Sequence, residues 1–153
     1  MEMIKSRKLN IIYTFAFAVF INISSCCIFE TDTADLRIVG QSFPSQVNNG
    51  QRFSLDFTVG NYSNGDCSAE TTTQSIVNLK MIKRDTQVLQ VNNTETLNGL
   101  ENDQTQVFNF SVLIEGAGAD GIYDLIFTVD PNNTSGAGYR ENDVYTSTVT
   151  VVN

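Results

Sequence analysis

Phe53-Ser54-Leu55-Asp56-Phe57-Thr58-Val59 alternates apolar and polar side chains without a break. On an extended chain Phe53, Leu55, Phe57 and Val59 share one face, while Arg52, Ser54, Asp56 and Thr58 share the other. That is the pattern of a strand with one buried and one wet face. Two further stretches repeat it. Phe108 to Ile114 places Phe108, Phe110, Val112 and Ile114 together, and Tyr123 to Val129 places Tyr123, Leu125, Phe127 and Val129 together. Weaker segments of the same kind are Leu36–Val39, Ile76–Ile82 with Val77, Leu79 and Met81 inward, Gln87–Val91, and Tyr145–Val152. Turn-forming clusters separate them: Asn48-Asn49-Gly50, Asn64-Gly65-Asp66, Asn92-Asn93, Asn98-Gly99 and Ala119-Asp120-Gly121. No helical periodicity appears beyond Asp35. About seven antiparallel strands in a segment this short predict an all-β, immunoglobulin-like sandwich over residues 35–153. Gly121-Ile122-Tyr123 adds a tyrosine corner, in which the Tyr123 hydroxyl bonds a backbone group upstream and pins the crossover between sheets.

The N-terminus reads differently. Lys5, Arg7 and Lys8 precede a nearly continuous apolar run from Leu9 to Ile23, and Ser24-Ser25-Cys26 closes it. Basic, apolar and small-residue regions in that order are an export signal. The run falls short of the about 20 apolar residues that a membrane-spanning helix needs, and Thr14 and Asn22 interrupt it. Ordinary cleavage would leave Cys26 as an unexplained thiol at the new terminus. Ile23-Ser24-Ser25-Cys26 resembles the lipobox of bacterial lipoproteins. The resemblance implies a signal peptide over 1–25, lipidation of Cys26, a tether over 26–34 and permanent attachment to the membrane through acyl chains. It places the protein in the bacterial envelope, at the outer membrane, on either its cell-surface or its periplasmic face.

Removing residues 1–25 leaves six basic against 16 acidic residues, a net charge of −10. Nucleic acid is excluded as a partner, because binding phosphates requires a basic footprint. The chain has no histidine, which removes the usual general base and most catalytic zinc sites. Cys67 lacks a base that could activate it as a nucleophile. It reads as incidental, with a Cys27–Cys67 disulfide open to it in an oxidising compartment. No Gly-rich phosphate loop joins a strand to a helix. The chain is read as non-catalytic.

The succession of strands resembles the CARDB domain, a cell-adhesion-related bacterial module. The residues that carry the likeness are Asp35-Leu36-Arg37-Ile38-Val39, then Gly50 and Phe53 to Asn61 ending in Val59-Gly60-Asn61. Gly121-x-Tyr123, Val129-Asp130-Pro131-Asn132 and Glu141-Asn142-Asp143 complete it. The resemblance implies a sandwich displayed outside the cell and leaves its ligand open.

One loop has the spacing of a cation site. Asp130, Asn132, Thr134, the Gly136 backbone and Glu141 fall at positions 1, 3, 5, 7 and 12 of a calcium-type loop, and Asp143 adds a carboxylate. Thr134 and Ser135 depart from the pattern at positions 5 and 6, and the alternative is a plain connecting loop shaped by Pro131 and its glycines. No other cofactor is expected. For ligand contact the sequence offers Tyr62 with Asn61 and Asn64, and Tyr139 with Arg140, since loops at the ends of a sandwich usually carry binding residues. Two roles follow: a lipid-anchored adhesion or binding module for a protein or glycan, or a structural accessory subunit of a larger envelope complex.

Overall fold

A computed structural model describes residues 32–63 and 67–153. The signal segment, Cys26, the tether as far as residue 31, and Asn64 lie outside the described residues. Eight strands run in chain order: β1 (Ala34–Ser42), β2 (Gln46–Asn48), β3 (Arg52–Ser63), β4 (Ser75–Lys83), β5 (Val88–Leu97), β6 (Thr105–Leu113), β7 (Gly121–Val129) and β8 (Val144–Val152). They form two sheets. One has the order β1-β3-β6 and the other β2-β8-β7-β4-β5. All pairings are antiparallel except β2 with β8, which is parallel.

The alternating faces of β3, β6 and β7 are the core. Phe53, Leu55, Phe57 and Val59 meet Phe108, Phe110 and Val112 within one sheet, and Leu125, Phe127 and Val129 face them from the other. The Phe57 and Phe127 rings stack across the interface at 4.1 Å and 3°, with Phe110 edge-on to both. Aromatic pairs in such offset and edge geometries add about 0.5–1.5 kcal/mol beyond area burial. Phenylalanines thus weld the two sheets in a chain without tryptophan.

Three details differ from the sequence reading. The three-residue β2 is too short to show alternation, and it is what makes one pairing parallel. Asn92-Asn93 lies inside β5 rather than at a turn. The Asn78 side chain donates to Asn92 Oδ1, Asn93 O and Thr94 Oγ1, so the polar pair is satisfied within the sheet. Cys67 is disulfide-bonded rather than incidental. The only other cysteines are Cys26 and Cys27, both outside the described residues.

Tyr123 is fully buried at the start of β7, and its hydroxyl donates to Ala119 O at 2.7 Å. Burial, with Asp85 and Asp120 nearby, pushes the hydroxyl pKa up, so it remains a donor. The two ends of the sandwich are unlike. Lys83, Val88, Leu113 and Gly121 mark one pole. The start of β1, the end of β3, and loops 67–73, 98–104 and 130–143 meet at the other.

Candidate functional site

The second pole is organised around a buried asparagine. Asn61 closes the regular part of β3 and is wholly inaccessible to solvent, although its neighbours in sequence suggested an exposed loop. Its Oδ1 accepts from Asp35 N, and its Nδ2 donates to Glu70 O and Leu100 O. One side chain therefore ties β1 to two loops. Gly60 precedes it because the Tyr62 ring lies where a Cβ would stand, with Tyr62 Cε2 only 2.5 Å from that position.

Chain entry is fixed at the same pole. Asp32 N donates to Ser68 O, and Glu70 N donates to Asp32 O, forming a short parallel bridge. The Asp32 carboxylate accepts from Ser63 Oγ and Cys67 N. Thr33 then packs against Gly138, where any side chain would collide with its methyl group, and Gly138 N donates to Ala34 O. The first described residues are thus stitched directly to the 130–143 loop.

That loop folds around Asp130, which sits at φ 42° in the left-handed region that non-glycine residues seldom occupy. Burial pushes its carboxyl up, but hydrogen bonds from the backbone and hydroxyls of Thr134 and Ser135 outweigh this and hold it below the ordinary value. Arg140 turns back to donate to Asp130 O at 2.6 Å and lies 3.5 Å from Asp143 Oδ2. Asp143 is the anomaly. Its side chain is buried, its Oδ1 has no hydrogen-bond partner, and its pKa is raised to about 6. Burial is the main cause; Arg140 opposes it, and Asp35 and Asp130 add to it.

The proposed calcium ligands separate accordingly. Asp130 and Asp143 converge on Arg140, but Thr134 caps Asp130 rather than sharing an ion with it. Asn132 and Glu141 are exposed. Among the described residues no three His, Cys, Asp or Glu side chains are grouped to hold a metal. Asp130's oxygens are saturated by the loop, and a guanidinium already supplies the positive charge between the carboxylates.

In front of this network lies a cleft of about 520 Å³ lined by Asp35, Arg37, Tyr139, Glu141 and Asn142. Asn142 donates to both Asp35 oxygens, Arg37 pairs with Asp35 at 2.5 Å, and the Arg37 guanidinium lies 5.8 Å above the Tyr62 ring. Tyr139 is half-exposed on the rim. Tyr62, Tyr139 and Arg140, distant in sequence, therefore share one end of the molecule. Asp35, Arg37 and Asn142 were missed as site residues because their side chains meet only through the β1–β3 pairing and the returning loop. A second hollow, of about 500 Å³, lies over the outer face of β4, β7 and β8, beside an Arg84–Asp124 ion pair at 2.5 Å. It offers neither an aromatic rim nor a buried unpaired group.

Known structures with this architecture include the CARDB domain of a Pyrococcus furiosus protein in complex with di-metal ions. It is 21% identical over 81% of this chain and 93% of that one, with a TM-score of 0.61. A domain described as part of a cell-surface protein of Methanosarcina acetivorans matches at 22% identity over 78% and 93%, with a TM-score of 0.54. A segment of a Listeria innocua β-glucosidase matches at 14% identity and a TM-score of 0.50, covering 78% of this chain but 16% of the enzyme. These likenesses concern the fold alone. No curated protein matches the sequence. The CARDB family model spans residues 33–147, nearly all of the described fold, and the chain belongs to that family.

Proposed function

We propose that this protein is an exported, lipid-anchored, non-catalytic binding module that recognises its partner through the Asp35–Arg37–Tyr139–Glu141–Asn142 cleft. The observation that carries the binding reading is the cleft itself, a concave opening with an aromatic rim, a fixed guanidinium and exposed carboxylate chemistry at a loop-built end. Export is supported by the disulfide at Cys67, a bond that persists in oxidising compartments. The cell-surface description of the Methanosarcina domain points the same way. The acidic surface keeps such a domain soluble outside the cell.

Lipidation makes a sharp chemical demand. A sulfur held in a thioether cannot also form a disulfide, so acylation of Cys26 leaves Cys27 as the partner of Cys67. The test is metabolic labelling with a radioactive fatty acid, together with non-reducing peptide mapping. The expected result is label that is lost in Cys26→Ser and a Cys27–Cys67 peptide. A Cys26–Cys67 peptide in the mature protein would sink the lipoprotein reading.

The accessory-subunit role is favoured over adhesion by one feature. Cys26 lies six residues before Asp32, so the cleft pole is held within about 20 Å of the acylated residue even on a fully extended tether. A recognition surface so close to the bilayer suits a partner resident in the envelope. Proximity cross-linking on intact cells separates the roles: a single stoichiometric envelope protein supports the subunit, and capture of external glycan or matrix supports adhesion.

A further inference from the structure

The charge of the molecule is concentrated at the pole that carries the cleft. Asp32, Asp35, and the loops 67–73, 98–104 and 130–143 bring eight acidic side chains there, against Arg37 and Arg140 alone of the basic ones. Both arginines are already engaged, Arg37 with Asp35 and Arg140 with Asp130 and Asp143. Charge alone would make only a solvated face. The second observation is Asp143 Oδ1, a buried carboxylate oxygen without a partner. It stands directly behind Asp35 and Asn142, two residues of the cleft wall. An unpaired buried acceptor of this kind costs free energy unless a cationic or hydrogen-bond-donating group answers it. Tyr139, half-exposed at the mouth, presents the face of an aromatic ring, and Glu141 lies exposed beside it. Aromatic faces and carboxylates together recognise ammonium and guanidinium groups. The pole already holds one guanidinium in this manner, that of Arg37 over Tyr62 and against Asp35.

We infer that the cleft receives a lysine or arginine side chain from a basic, extended segment of a protein partner, with Tyr139 and Glu141 as its first contacts and the Asp35–Asp143 carboxylates as the source of the attracting field. The inference deepens the binding reading and rests on the cleft being the recognition surface; it does not depend on lipidation. Electrostatic complementarity of this type sets specificity and association rate, and it weakens with salt.

The experiment is a calorimetric titration of the full-length protein in detergent micelles with acetylated tetralysine amide, using tetraglutamate as the control peptide. Wild-type protein should bind tetralysine saturably at low salt and fail to bind tetraglutamate. Glu141→Gln and Tyr139→Phe leave the fold intact because both side chains are exposed; the first should weaken binding about tenfold, whereas the phenylalanine should retain it, since the ring face is kept. Tyr139→Ala should weaken it several-fold. Asp120→Asn, at the opposite pole, should change affinity less than about twofold. Absence of saturable binding would overturn the inference. So would equal losses in Glu141→Gln and Asp120→Asn, which would reduce the effect to net charge. Calcium binding that Glu141→Gln abolishes, without tetralysine binding, would overturn it in favour of an inorganic cation. Repeating the titration on Cys26→Ser separates this claim from the anchor: binding that survives in the unlabelled variant upholds the cleft while the lipid reading fails.

Discussion

Asp143→Asn isolates the electrostatic cost of the acidic pole. The folded protein raises the Asp143 pKa from 3.8 to about 6, so folding favours the protonated carboxyl. A group of this kind contributes stability fully below its unfolded pKa, and the contribution disappears as pH rises through the folded value. Stability should therefore increase as pH falls from 7.5 toward 4.5. A pKa difference of one between the folded and unfolded chain corresponds to about 1.4 kcal/mol, and integration over that window gives about 2 kcal/mol from this residue. For a domain of this size the change moves the melting temperature by roughly 6–12 °C. Asp130 contributes in the opposite sense, because its carboxyl is held below the ordinary value. Its stabilisation is present at neutral pH and is lost only in more acidic solution, so a lower limit of pH 4.5 keeps the two apart. The assay is urea unfolding of wild type and Asp143→Asn at half-unit pH intervals. The difference between the two profiles, rather than either alone, cancels the titration of the other carboxyls. Parallel profiles across the window would refute the account of Asp143 as a buried, inadequately compensated charge.

Other parts of the molecule give equally direct expectations. Tyr123→Phe removes only the 2.7 Å bond to Ala119 O and leaves that carbonyl unpaired, and it should cost about 1–2 kcal/mol in chemical unfolding. Asn61→Leu strands Asp35 N, Glu70 O and Leu100 O inside the protein; a loss of more than about 3 kcal/mol is expected, with the 67–73 and 98–104 loops exchanging amide hydrogens faster than in wild type. Phe127→Ala empties the stack on Phe57 and should destabilise by about 3–5 kcal/mol, whereas Val107→Ala, on the exposed face of β6, should stay within about 0.5 kcal/mol. Melting curves in calcium and in EDTA should superimpose, since Arg140 and the Thr134–Ser135 cap already satisfy the loop; a stabilisation by calcium would show that the loop rearranges to bind it.

The strands were legible wherever one face was buried. Period-two alternation from Phe53 to Val59 is a direct consequence of a core on one side and water on the other, and the same holds for β6 and β7. It failed at β5 because that edge strand is exposed along nearly all of its length, so no burial imposes alternation and Asn92-Asn93 imitates a turn. The polar end was harder for a different reason. Tyr62, Tyr139 and Arg140 could be named as loop residues, but their meeting depends on pairings 26 and 107 positions apart along the chain, Asp35 with Asn61 and Asp35 with Asn142. Asn61 misled because an asparagine beside Tyr62 and Ser63 reads as solvated, and only the fold reveals three backbone groups converging on it. The calcium spacing misled in the same way: regular intervals in sequence say nothing of φ 42° at Asp130, which turns its carboxylate inward onto its own loop.

The placement of the cleft bears on how the two proposed roles are weighed. An adhesin that reaches for an external ligand gains from presenting its recognition loops at the end farthest from its anchor. Here the loops that build the cleft are the ones to which Asp32, Thr33 and Ala34 are bonded, so chain entry and recognition share a pole. An acidic pole facing the bilayer is repelled by anionic headgroups, which disfavours the membrane itself as the ligand. The opposite pole exposes Val88, Leu89, Leu113 and Ile122 around Lys83 and Arg84, a surface of quite different character. A domain with an acidic end toward its anchor and a partly apolar end away from it is suited to bridging two components, a basic segment near the membrane and a second surface beyond. That polarity is the physical ground for preferring an accessory subunit to a free-standing adhesin.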